Sequence, residues 1–404
     1  MPDTFTYRVR NRDGALVTGD IQADSRELVL NRLREQGFIP LEIKQKNAGL
    51  KREITFLSRK KVKLKHLSIF SRQFATMINS GLPLLRALAI LEAQTESKEL
   101  SKVVVAVRLD VERGDSLSGA MSKHPKAFNN LYVAMVKAGE AGGVLDAVLL
   151  RLADTLEREV ELRRRIKSAM TYPVVVMVIV GLILTAMLVF VVPSFKDLFA
   201  SLGGTLPLPT RILLAISTVF QKYFVFVFLF FVALIFGFRQ WIKTKRGRYL
   251  FDKLKLKIPV FGPLFHKTAM SRFARTLGAL SRSGVPLLQS LDIVEETVNN
   301  AVVAEAVKDV QAAVKEGESL AQPLGRHDVF PPMVVQMLAV GEETGALDTM
   351  LEKISIFYDE EVAATVDALT ALIEPLLIVM VGGAVGLIVI SLYLPMFRIF
   401  DLIG

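Results

Sequence analysis

The chain of 404 residues has no cysteine, one tryptophan and four histidines. Without a thiol there is no disulfide framework, no cysteine-bound zinc, no iron–sulfur cluster and no thiol nucleophile. His66, His124, His266 and His327 stand singly along the chain, so imidazole ligands are scarce. Also missing are a GxxxxGK[ST] phosphate loop and a glycine fingerprint behind a strand. A Ser–His–Asp arrangement finds no support in residues so scattered. Residues 1–14 lack an apolar core, and no signal peptide is expected there.

Apolar residues, by contrast, are abundant. They make up 51% of the chain, and the mean hydropathy is +0.41. They gather in three blocks, 173–192, 223–238 and 375–394, the first and third without a formal charge. About 20 apolar residues cross a hydrocarbon layer, and lipid leaves the backbone no partner outside a helix. Three transmembrane helices are therefore expected. Basic residues give the direction. Arg163, Arg164, Arg165 and Lys167 precede the first block, and Arg239, Lys243, Lys245 and Arg246 follow the second, whereas the connecting loop, Pro193 to Arg211, holds only Lys196 and Arg211. The large polar segments and the N-terminus are expected in the cytoplasm. The direction of the third block rests on the second having returned the chain. The basic runs lie beside apolar blocks and lack interleaved aromatics, which favours lipid headgroups over direct nucleic-acid binding. A transporter would need ionisable groups at the midplane, and the first and third blocks have none.

An internal repeat organises the rest. Phe70-Ser71-Arg72 and Ser80-Gly81-Leu82-Pro83-Leu84-Leu85 recur as Phe273-Ala274-Arg275 and Ser283-Gly284-Val285-Pro286-Leu287-Leu288, 203 residues later. After a one-residue slip, Phe128 pairs with Phe330, Gly139-Glu140 with Gly341-Glu342, Pro173 with Pro375 and Pro193 with Pro395. The spacing of Leu67, Phe70, Phe74 and Met77 predicts a helix, with Gly81 its left-handed cap and Pro83 in the first turn of the next. From Asp146 an amphipathic helix runs without a breaker towards Pro173. Residues 1–45 alternate loosely, with Asp13-Gly14 as a turn, then a helical pattern over 25–36 and an apolar strand over 38–43.

Glu140 and Glu342, at equivalent turns, admit two readings: paired carboxylates for a cation or a basic partner, or solvated turn residues. His124 and His327 likewise read as loop residues or as isolated ligands. Gly382, Gly383 and Gly386 give a GxxxG spacing that suits close helix packing, within one chain or between two.

Arg165-Ile166-Lys167-Ser168-Ala169-Met170-Thr171-Tyr172-Pro173, with the apolar block ending Val191-Val192-Pro193, is similar to the signature of the type II secretion protein F family (GspF/PilC). Ser80-Gly81-Leu82-Pro83-Leu84, Lys137-Ala138-Gly139-Glu140 and Leu206-Pro207-Leu208-Pro209-Thr210 also resemble family motifs. The second copy has Glu374-Pro375 where the first has Tyr172-Pro173, and Pro395 where the first has Pro193. The resemblance implies a platform in the bacterial cytoplasmic (inner) membrane, without enzymatic activity or cofactor. It would couple a cytoplasmic hexameric ATPase to the addition or removal of pilin subunits. Further implied partners are other inner-membrane assembly proteins, the lipid bilayer and copies of the chain itself. A type II secretion or DNA-uptake pseudopilus, built of pseudopilins, is the alternative to a type IV pilus.

The expected fold is mainly α, a polytopic membrane protein with two duplicated cytoplasmic bundles, three transmembrane helices and a small N-terminal α+β module. The expected segments are the module 1–45, a basic linker 46–65, the first bundle 66–170, a span 171–193 and an external loop 194–216. A second span 217–238, a basic connector 239–268, the second bundle 269–373, a third span 374–395 and an external tail 396–404 follow.

Overall fold

The computed structural model describes residues 3–10, 16–23, 28–30, 33, 39–45, 62–193 and 208–403. The chain divides into two units, Met1–Lys61 and Val62–Gly404. In the first, β1 (Asp3–Arg10), β2 (Leu16–Ala23) and β3 (Ile39–Gln45) form an antiparallel sheet in the order β2-β1-β3. Tyr7 pairs with Gly19 on one side and Ile43 on the other. The β1–β3 register shifts between Arg8 and Val9, where Pro40 comes opposite Val9. Proline has no N–H to give a ladder, which suits it to an irregular position on an edge strand. Val29 and Leu33, both helical, bury themselves with Ala23. The remainder of the helix expected over 25–36, the Asp13-Gly14 turn and most of the basic linker lie outside the described residues.

The second unit is helical, and its helices come in two matching sets. In the first set are α1 (Leu64–Asn79), α2 (Leu84–Gln94), α3 (Lys98–Glu112), α4 (Leu117–Ser122), α5 (Asn130–Gly142) and α6 (Leu145–Ala186). Next come α7 (Leu208–Lys243) and α8 (Lys245–Lys257). The second set is α9 (Gly262–Arg282), α10 (Leu287–Thr297), α11 (Ala301–Lys315), α12 (Ala321–Leu324), α13 (Pro332–Glu343) and α14 (Leu347–Ile403). Helix periodicity accounts for the packing: Leu67, Phe70 and Phe74 line one face of α1 and are buried against α6. Gly81 and its counterpart Gly284 end their helices with φ of 81° and 76°, a conformation that glycine adopts without steric cost. The aromatic contact at the centre is duplicated too. Phe70 lies 6.1 Å from Phe128, and Phe273 lies 5.0 Å from Phe330. The buried apolar residues of both bundles form one continuous core, so the bundles stand on the same side of whatever the long helices enter.

Those long helices correct the sequence reading. Among the described residues two, not three, are long and apolar enough to cross a membrane, Leu145–Val191 and Leu347–Ser391. Their most apolar windows reach mean hydropathies of 3.2 and 2.4. The expected middle span is not among them. Tyr223 departs from helical geometry (φ −117°, ψ 18°) inside α7, next to the polar Gln221-Lys222. Thr210–Val219, before this kink, is only a shorter apolar helix, about 15 Å at 1.5 Å per residue. Direction inferred through a middle span accordingly loses its support. α7 leads the chain back from the far end of α6 to the bundles: Leu213 packs with Val192 and Ile388, and Ser217 Oγ donates to the Leu188 carbonyl at 2.5 Å. α8 then docks on the second bundle, where buried Asp252 accepts from the Ala301 N–H at 3.0 Å.

Two further details depart from expectation. α6 closes in a π-helical turn, Met187–Val191, and α14 continues as helix to Ile403 through the expected tail.

Candidate functional site

The candidate site is the junction where the two bundles meet each other and pass into the long helices. Each bundle is first locked internally by a carboxylate at a helix start. Glu140, on α5, accepts from the Leu117 and Ser118 N–H groups at 2.6 and 3.0 Å. Glu342, on α13, accepts from Leu320 at 2.9 Å and Ala321 at 3.4 Å. The first turn of a helix leaves N–H groups without intrahelical acceptors, and a carboxylate there satisfies them and meets the positive end of the helix dipole. Both oxygens of these two residues are therefore engaged by backbone donors. Neighbouring Gly139 and Gly341 let α5 and α13 sit tightly on the helix that follows. A Cβ at Gly139 would stand 3.1 Å from the Val148 Cβ, and one at Gly341 would stand 3.0 Å from the Leu347 Cα.

A second duplicated element is an ion pair between the first and last helices of each bundle. Arg72 of α1 donates to Glu157 of α6 at 2.6 and 2.7 Å and to Asp154. Arg275 of α9 donates to Asp359 of α14 and to Ser271 Oγ, the latter at 3.0 Å. Arg72 and Arg275 are repeat equivalents, as are Glu157 and Asp359. In the first bundle the pair is open to solvent. In the second it is covered by α6, which brings Glu159 to 2.9 Å from Arg272 and 3.3 Å from Arg275. Arg275 is 7% exposed. Burial pulls the Arg272 guanidinium below its ordinary range, opposed by Glu159. Further along, Arg282 of α9 pairs with Glu352 and receives on its carbonyl the Arg151 guanidinium of α6. A cavity of about 90 Å³ between α6, α9 and α14 is lined by Arg151, Asp154, Arg158 and Glu352. This network joins the two bundles through the helices that leave them.

Past the network, α6 and α14 keep in contact. Leu162 packs with Val362, Val366, Leu369 and Leu264. Arg163 stays on Glu159 at 2.7 Å, while Arg164, Arg165 and Lys167 are exposed. Arg239, Lys243, Lys245 and Arg246 are exposed around the end of α7 and the start of α8. Pro173 is buried inside α6 and Tyr172 is exposed; Glu374 and Pro375 are both exposed on α14. Pro193 is half-buried at the end of α6, and Pro395 lies within α14. Beyond these points the side chains turn outward: Leu182 is 66% exposed and Val379 is 73% exposed. Such a surface is unfavourable in water, and lipid is the solvent that accommodates it. The two long apolar helices thus associate the chain with a membrane.

Among the described residues no group of three or more His, Asp or Glu is placed to share a metal ion. His327 lies 3.8 Å from Asp309, and the His124 carbonyl accepts from the Ala127 and Phe128 N–H groups. Among the described residues, Gly382, Gly383 and Gly386 have no neighbouring side chain or backbone within reach of a Cβ. Glu159, Arg272 and Asp359 escaped the sequence reading, and Arg275 entered it only as part of the repeat. Their signal was present: the repeat offsets that align the glycines also align Arg72 with Arg275 and Glu157 with Asp359.

Comparison with known proteins agrees with this anatomy. The family model for the type II secretion system protein F matches residues 70–193 and again 273–395, and the model for its N-terminal domain matches 1–44. The type IV pilus assembly protein PilC of Thermus thermophilus is 46% identical over 397 residues, 98% of each chain. That of Myxococcus xanthus is 42% identical over 98% of this chain and 94% of its own. The type II secretion system protein F of Pseudomonas aeruginosa is 34% identical over 99% of both. A duplicated bundle, matched twice by one family model and followed each time by a long apolar helix, places the chain in the type II secretion system protein F family.

Proposed function

We propose that the chain is the inner-membrane platform of a type IV pilus assembly machine, coupling a cytoplasmic ATPase motor to the addition or removal of pilin subunits. One observation carries this reading. Two bundles are fused through a buried ion network into a single body, and each continues as a stiff helix into an apolar surface. A displacement imposed on such a body reaches the membrane through α6 and α14, because packed helices move as units. The chain supplies no chemistry of its own in this scheme and acts as a multi-pass relay between the motor and the pilin. The bundles and the N-terminus face the cytoplasm, where the motor engages them.

The equivalent role in a secretion or DNA-uptake pseudopilus is the second reading, favoured by the likeness to type II secretion proteins along the whole chain. Deleting the gene and scoring surface pili, exoprotein release and transformation side by side separates the two. Loss of pili alone is the expected result. Loss of exoprotein release with pili intact would move the chain to the second reading, and no defect in any of the three would end both.

A further inference from the structure

The contact between the bundles is one-sided. α5 and α6 of the first bundle rest on α9, α10 and α14 of the second. Among the described residues the reciprocal contact, α1 and α2 with α13, is not one of the substantial contacts between helices. A face used once within a duplicated chain leaves two equivalents unused: the α1 face of the first bundle and the outer α14 face of the second. A head-to-tail contact of this kind does not satisfy itself, so it propagates to further copies until it closes.

The side chains on the two free faces have changed together. Where the second bundle presents Arg272 to Glu159, the first presents Ile69, 45% exposed. Where α6 carries Asp154 and Thr155 at the internal junction, α14 carries Ile356 and Phe357, 39% and 41% exposed. At these three places the occupied junction is polar and the unoccupied faces are apolar, whereas Arg275 and Glu159 keep charged counterparts in Arg72 and Glu361. Glu361, the equivalent of Glu159, is already taken by Lys267 at 2.7 Å, so an ionic copy of the junction is not required. The free face of α14 also runs on into the apolar segment. Gly382 and Gly386 lie about seven and about eight turns beyond Phe357, each within about 20° of its direction. At both, open space surrounds the backbone. An apolar cytoplasmic patch continued by glycines that admit a close neighbour is a surface made for another helix.

We propose that the outer face of α14 in one chain docks on the α1 face of a second copy, with Ile356 and Phe357 packed on Ile69, in a repetition of the α6–α9 junction between chains. The inference goes beyond the assembly role and needs from it only that both chains share one bilayer.

The absence of cysteine makes the test direct. Two differently tagged full-length chains, one Ile69→Cys and the other Phe357→Cys, are co-expressed and oxidised in their own membranes. A disulfide-linked mixed dimer is expected, with neither variant cross-linking when expressed alone. A chain carrying both cysteines should give a ladder of two, three and more chains, whereas Ile69→Cys with Lys102→Cys, an exposed position off the face, should give none. In-chain oxidation of Asn130→Cys with Glu296→Cys, whose side chains hydrogen-bond across the bundles, verifies folding and chemistry. No mixed product while this control oxidises would overturn the proposal. So would equal cross-linking by Ile69→Cys alone, which would mean a symmetric contact, or protection of either thiol only when the motor is present, which would give the face to the motor. As a second arm, Ile69→Glu should reduce the detergent-extracted oligomer to single chains by light scattering while Lys102→Glu leaves it intact. An unchanged mass for Ile69→Glu would also count as refutation. Pilus formation is not read in either arm, so failure here and failure of the assembly role are distinguishable.

Discussion

The carboxylate of Glu159, on the first bundle, stands 3.3 Å from the guanidinium of Arg275 on the second. Arg275 is itself bound to Asp359 of α14, so one arginine ties together the two helices that leave for the membrane. Glu159 is also the partner of Arg272, and removing one partner of a buried pair leaves the other charge uncompensated, at a cost of about 3–5 kcal/mol. Glu159→Gln should therefore lower the unfolding free energy of the purified chain by that order, measured by denaturant titration. Arg72→Gln, which breaks the equivalent but solvent-open pair of the first bundle, should cost far less, within about 1 kcal/mol.

Glu140 and Glu342 are expected to act as braces. Glu140→Ala leaves the Leu117 and Ser118 N–H groups without their acceptor, worth about 1–3 kcal/mol. Glu342→Ala should behave alike, and glutamine at either place should be milder. Melting curves of the native chain should not move on adding calcium or a chelator. A shift that disappears in Glu140→Ala would instead assign a cation to that turn.

Much of this was legible before the structure. Apolar spacing marked α1 and α6, Gly81 marked the end of α1, and the repeat assigned both bundles one design. Three-dimensional partners were not legible, because periodicity says which face is buried but not against what. Thus Glu140 read as a turn residue or a ligand, when its acceptor role depends on a helix start 23 residues earlier. The middle span was overcounted for a related reason. Hydropathy sums over α7 without regard to the break in helical geometry at Tyr223.

Acid should weaken the chain through Glu157 and Glu352. Hydrogen bonds from Arg72 and Arg282 hold these carboxyls below the ordinary value of 4.5. A depressed carboxyl contributes stability above its unfolded pKa and loses it as pH falls through the folded one. Thermal midpoints should thus be level near neutrality and fall below about pH 4.5. Arg282→Gln should lower the neutral plateau and make the acid limb shallower, as followed by circular dichroism between pH 7 and pH 3.

Two glycines should respond oppositely to the same change. A methyl at Gly278 meets the Leu351 Cβ at 3.0 Å in the α9–α14 seam, whereas one at Gly382 meets nothing within 4 Å. Gly278→Ala should cost about 1–3 kcal/mol by overpacking. Gly382→Ala should leave the unfolding midpoint of the isolated chain unchanged and reduce association between chains.

The most direct test of the relay is to interrupt α6 between bundle and membrane without touching either. Three glycines inserted between Ser168 and Ala169 should leave the chain at its normal level in the membrane, with the Asn130→Cys/Glu296→Cys disulfide still forming, and should abolish surface pili. Wild-type piliation by that protein would contradict the transmission of movement through this helix.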